Sequence, residues 1–82
     1  MAALHLVITG DIQRYAFFTA PGGRRHFYDA MRGQQGVCGR SLNGSMGMGT
    51  DWREAEQIDI CRRCLRILLD HYTPHAVRVE VR

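Results

Sequence analysis

Lysine is missing from this chain: all eleven basic residues of its 82 are arginine, against eight acidic ones, for a formal net charge of +3. Arginine's planar fork makes paired contacts with phosphate or carboxylate that lysine cannot. A GC-rich coding bias produces the same composition, and a charge of this size permits a polyanionic partner without demanding one. Also absent is any apolar run near the ~20 residues a membrane span needs, and the N-terminus lacks the basic region, apolar block and cleavage site of a secretory signal. These absences point to a cytoplasmic protein with no membrane contact. A chain of this length makes one domain, residues 1–82, whose hydrophobic core alone leaves little stability in reserve. A further staple is therefore expected.

Cysteine is scarce as well, and its number is odd: Cys38, Cys61 and Cys64. An odd count in a cytoplasmic chain argues against a disulfide framework, and a Cys-x-x-Cys there points to metal binding or redox chemistry.

The patterning gives a fold class. Leu4 to Thr9 and Ile12 to Thr19 flank Gly10-Asp11 and read as a β-hairpin. Arg24 to Met31, after Pro21-Gly22-Gly23, reads as a third strand carrying His26. Ser41 to Thr50 has too many glycines for a regular element and reads as a loop, with Met46 and Met48 filling a core gap or touching a partner. Asp51 to Glu56 resembles a short helical turn capped by an acidic residue. Cys61 to Tyr72 is the main helix: Cys61, Cys64, Leu65, Leu68 and Tyr72 share one face, and Arg62, Arg63, Arg66 and Asp70 the other. Thr73-Pro74 ends it, and Ala76 to Arg82 alternates Val77, Val79 and Val81 inward against Arg78, Glu80 and Arg82 outward. The expectation is an α+β fold: a small antiparallel sheet of the N-terminal hairpin, the His26 strand and the C-terminal strand, packed on one helix.

Cysteines at helix start and three residues on can place both sulfurs on one ion, where free amide N–H groups stabilise thiolates. A set of Cys61, Cys64, His71 and His75 echoes a Cys2His2 finger, but its middle spacing falls well short of the ~12 residues such a finger uses. On one continuous helix Cys64 and His71 would stand about 10 Å apart, too far for bonds of ~2.0 to 2.3 Å to one ion. The set His26, Cys38, Cys61 and Cys64 uses every thiol and clips two halves of the chain together. Gly39 lets the backbone fold tightly after Cys38. His71 or His75 stands in reserve, and His5 reads as a surface residue. Four protein donors leave no place for water, so one structural zinc and no enzyme activity is the expectation. Glu54 or Glu56 is conceivable as a general base, but no spacing selects either.

The order His26, Val37-Cys38-Gly39 and Cys61-Arg62-Arg63-Cys64-Leu65-Arg66 resembles a group of small zinc-finger proteins of actinobacteria and their phages and plasmids. That resemblance implies zinc at the same four residues and a treble-clef-like arrangement. Two functions fit. A protein-interaction module, an accessory regulatory factor docking on host transcription, translation or replication machinery, would use a sheet edge, Trp52 or the methionine loop, and two chains could pair their edge strands as a homodimer. A nucleic-acid binder would set Arg62, Arg63 and Arg66, with Arg24, Arg25, Arg32 and Arg40, on phosphates, and Tyr15, Phe17 or Phe18 on unpaired bases.

Overall fold

Alternation sends Leu6 and Ile8 to one side of the first strand and His5 and Val7 to the other, and the chain is built outward from that division. The computed structural model describes residues 3–81; Arg82 lies outside them. In chain order the strands are β1 (Leu4–Ile8), β2 (Tyr15–Thr19), β3 (Arg25–Asp29), β4 (Met48–Gly49), β5 (Asp51–Arg53) and β6 (Val77–Val81), with one α-helix, α1 (Arg62–His71), before β6. They form two antiparallel three-stranded sheets, ordered β5-β1-β6 and β3-β2-β4. The expected α+β class holds.

The expected N-terminal hairpin does not form: β1 and β2 belong to different sheets. After Gly10 the chain makes a tight turn in which the Asp11 carbonyl accepts from Arg14 and Tyr15 N–H, while the Asp11 side chain accepts from Gln13 N–H. This local bonding turns the chain out of the first sheet. Gly10 lies so close to the C-terminal segment that a Cβ there would meet the Tyr15 ring at 3.0 Å and the Ala76 Cα at 3.1 Å. The His26 strand and the C-terminal strand likewise sit in separate sheets.

Two further expectations are corrected. Asp51 to Glu56 is not a helical turn; β5 pairs with β1 in the register His5 to Arg53, Leu6 to Trp52 and Val7 to Asp51. Burying the Trp52 ring beside Leu6 outweighs the local capping signal of Asp51. The glycine-rich loop contains β4, which adds to β2 opposite Phe17 and Phe18. Met46 and Met48 are exposed there and fill no gap in the core.

The helix keeps to its sequence pattern within a residue at each end. Cys64 and Leu68 are buried, with Tyr72 following at the C-cap, while Arg62, Arg63, Arg66 and Asp70 face solvent. Between helix and sheets lies an aromatic cluster in which Phe27 meets Tyr72 edge-on at 4.9 Å, Phe17 at 5.6 Å and Tyr15 at 6.0 Å. Leu6, Ile8, Trp52 and Val77 extend it under the other sheet. Val79 is half-buried and Val81 exposed, so the inward alternation of β6 fades toward its end. Asp29 is the one buried carboxylate among the described residues. It accepts from Tyr72 Oη at 2.7 Å, Arg14 Nε at 3.0 Å and Met31 N–H at 3.1 Å, which satisfies it.

Candidate metal centre

Three separate pieces of backbone deliver the cysteines and the histidine. His26 is the second residue of β3, buried, with its ring stacked at 5.2 Å on Phe18 across the β2 pairing. Cys38 rides on a tight turn: Gly36 N–H bonds to Arg40 O at 2.7 Å, Gly39 N–H to Gly36 O at 2.8 Å, and Gln35 bridges Ser41. Gly39 has φ +98°, a conformation L side chains rarely adopt, which is the backbone freedom expected after Cys38. Cys61 is the N-cap of α1 and Cys64 lies in its first turn.

The turn is tied to β3 by Val37 N–H on Phe27 O at 2.9 Å. The helix start is tied to the same edge of that strand, two residues earlier. Arg25 N–H bonds to Asp59 O at 2.6 Å, and Cys61 N–H to Arg25 O at 2.7 Å. Thus β3 holds the Cys38 turn and the Cys61 segment against the residues flanking His26.

The result is a group of donor atoms from His26, Cys38, Cys61 and Cys64 all within 4.8 Å of one another. His26 Nδ1 lies 3.4 Å from Cys38 Sγ and 3.6 Å from Cys64 Sγ. Tetrahedral zinc with its usual bonds has an N to S edge of about 3.5 Å, so these spacings fit an ion at the centre. All three cysteines are free of disulfides. The sequence-derived set is the one grouping among the described residues that could hold a metal ion.

The electrostatics of the group are uneven. Burial pushes the Cys61 thiol up, but N–H groups of Cys64 and Arg63, with the Cys38 and Cys64 side chains, outweigh it and leave Cys61 below the usual thiol range. Cys64, fully buried, is pushed well above that range by desolvation, with the neighbouring Cys38 adding to the rise. Burial, then the positive charges of Arg40 and Arg24, lower His26 and favour the neutral imidazole. Neutral imidazole is the form that ligates a metal.

The reserve ligands stand apart. His71 and His75 are exposed, and His75 stacks on Tyr72 at 5.9 Å. His5 is not a plain surface residue: its side chain is only 12% exposed, with Nδ1 3.1 Å from Glu80 and Nε2 3.5 Å from Asp51. Sequence alternation placed it outward but gave no sign that two carboxylates from neighbouring strands would cover it.

The contact residues divide in the same way. Arg62, Arg63 and Arg66 line one open cleft with Ile67. Arg62 and Arg24 line a second with Trp52, Glu54, Asp59 and Ile60. Arg24 and Arg40 line a third, beside His26 and Pro21. Arg25 is different, because its guanidinium donates to Thr19 Oγ1 at 2.8 Å and lies against Gly49. Tyr15, Phe17 and Phe18 are buried, so none is available to stack on a base. Trp52 is 5% exposed and its indole N–H donates to Ile58 O at 2.8 Å, which makes it a core residue and not a protruding anchor. No helix among the described residues is long and apolar enough to cross a membrane. No family model, curated protein or solved structure matches this chain.

Proposed function

We propose that this chain is a non-catalytic, cytoplasmic binding module, stapled by one zinc at His26, Cys38, Cys61 and Cys64, whose arginines grip the phosphates of a nucleic acid. The donor chemistry supports zinc: three cysteine sulfurs and an imidazole nitrogen, all within 4.8 Å of one another, match its usual structural ligand set. With four protein donors the ion keeps no position for water, so it would contribute folding energy and no hydrolysis. A knuckle-like turn followed by a ligand-bearing helix is in keeping with the resemblance to small actinobacterial and phage zinc fingers.

The observation that carries the nucleic-acid reading is the continuity of the arginine surface. Arg40 and Arg24 share one cleft, Arg24 and Arg62 the next, and Arg62, Arg63 and Arg66 the third. Such a run offers forked donors to successive phosphates. Glu54 and Asp59 in the middle cleft limit its charge and favour a short contact over a long one. Binding of a labelled duplex or single strand, followed by anisotropy across about 50 to 200 mM salt, tests it: affinity should fall steeply with salt. Affinity that is absent at the low end of that range sinks the reading.

A second reading rests on Met46, 82% exposed, and Met48, 59% exposed, on the glycine-rich loop. Flexible thioethers at the surface suit a protein partner in host transcription, translation or replication machinery. It makes the opposite prediction, that Met46→Ser with Met48→Ser abolishes capture of that partner while the arginines are dispensable.

A further inference from the structure

The free edge of β6 has the layout of a strand that can pair with itself. In the first sheet β1 is central, and the direction of its polar groups is fixed by its hydrogen bonds. Ile8 N–H goes to Thr50 O and Glu54 N–H to Leu4 O, so Leu4, Leu6 and Ile8 turn their main-chain groups toward β5. By alternation His5 and Val7 turn theirs toward β6, opposite Glu80 and Arg78. Val77, Val79 and Val81 are then the residues whose main-chain groups point out of the sheet. Val77 N–H already bonds to Tyr72 O at 3.3 Å; Val79 and Val81 lie on the unpaired edge.

The side chains along that edge read the same in both directions. The sequence is Val77-Arg78-Val79-Glu80-Val81. Turned about an axis through Val79, an antiparallel copy sets Val79 against Val79, Val77 against Val81 and Arg78 against Glu80. The Val79 pair would be of the hydrogen-bonded kind. Arg78 and Glu80 of opposite copies would then face each other in non-bonded pairs, where side chains approach most closely and opposite charges stabilise. Val81, 62% exposed in the single chain, would be covered.

We infer that two copies of this chain join edge to edge along β6, in antiparallel register centred on Val79, fusing the two β5-β1-β6 sheets into one. A lone strand edge of this kind is a standing invitation to pairing, and complementary charge is what selects the partner. A contact along one five-residue strand is small beside the ~1,200 to 2,000 Å² of stable interfaces, so the dimer is a weak, reversible one. It stands apart from the arginine reading, because no residue of Val77–Val81 lines the arginine clefts.

Sedimentation of the zinc-loaded full chain across a concentration series, with folding followed by circular dichroism, decides it. The wild type should dimerise. R78E and E80R should each lose at least an order of magnitude in dimer affinity through like charges, yet an equal mixture of the two should form a heterodimer, since each then meets its opposite. Glu80 also touches His5 and accepts from Arg78 of its own chain at 3.1 Å, so should R78E or E80R fail to fold, Val81→Lys, which leaves that pair intact, takes its place and should weaken the dimer. A wild type that stays monomeric at millimolar concentration overturns the inference. So does dimerisation that survives both R78E and Val81→Lys, which would put the contact on another surface, or folded R78E and E80R that fail to recover each other.

Discussion

His26 Nδ1 lies 3.4 Å from Cys38 Sγ, although one side chain sits on β3 and the other on a turn that belongs to neither sheet. Both distances at that nitrogen, 3.4 and 3.6 Å, match the spacing that donors around one tetrahedral ion would have. Native mass spectrometry should find one zinc per chain, lost on chelation and in His26→Ala or Cys61→Ser, and kept in His71→Ala and His75→Ala. Structural zinc binding in small modules is worth about 10 to 16 kcal/mol at neutral pH, so the metal-free chain should lose its cooperative thermal transition. Acid should do the same, because the ligands bind only deprotonated.

Asp29 supplies a separate pH-dependent contribution. Burial alone would raise its carboxyl, but Arg14, Tyr72 and the Met31 N–H outweigh burial and hold it below the usual carboxylate range. With the folded value depressed, its stabilisation is present above the unfolded value of about 3.9 and disappears as pH falls through the folded one. The stability difference between wild type and Asp29→Asn, from urea unfolding, should therefore be constant near neutrality and shrink below about pH 4. Tyr72→Phe removes one donor from the buried carboxylate and should cost about 1 to 3 kcal/mol. A difference that grows on acidification would contradict this account.

For the arginine surface, Arg62→Ala and Arg66→Ala should each lower the salt slope of nucleic-acid binding by roughly 1 and leave metal content unchanged. Arg25→Ala should behave otherwise, since its guanidinium is engaged with Thr19. It should reduce stability more than the salt slope, as thermal melts beside anisotropy would reveal.

Trp52 separates a packing role from a contact role. Trp52→Ala should cost about 3 to 5 kcal/mol by emptying a core site. Trp52→Phe keeps most of the ring and chiefly forfeits the bond to Ile58 O, about 1 kcal/mol. Partner binding that collapses in a fully folded Trp52→Phe would make it a contact residue after all.

The grouping of His26 with the three cysteines and the main helix were legible because their signals are local: a Cys-x-x-Cys at a helix start, a glycine after Cys38, and apolar residues at helical spacing. The strand at β3 was legible from its flanking glycines and aromatic content. Sheet partition was not. Leu4–Ile8 and Tyr15–Thr19 carry strand patterns of equal strength, and only the turn bonding at Asp11 and the close approach of Gly10 to Ala76 decide that they part. Trp52 misled for a related reason, since pairing with Leu6, 46 positions away in sequence, has no local trace. Cross-strand neighbours of this kind also hid the cover that Asp51 and Glu80 give His5.

Arg25 holds the segment that leads into α1 with main-chain atoms: its N–H reaches Asp59 O and its C=O receives Cys61 N–H. The alignment of strand and helix start is thus written in main-chain atoms, which every residue but proline carries in full. Substitutions around His26, Cys38, Cys61 and Cys64 can accumulate without disturbing that alignment, provided position 25 avoids proline and those four side chains stay. Homologues that have drifted far in sequence should therefore still be recognisable by where these peptide groups meet, and less so by the side chains that surround them.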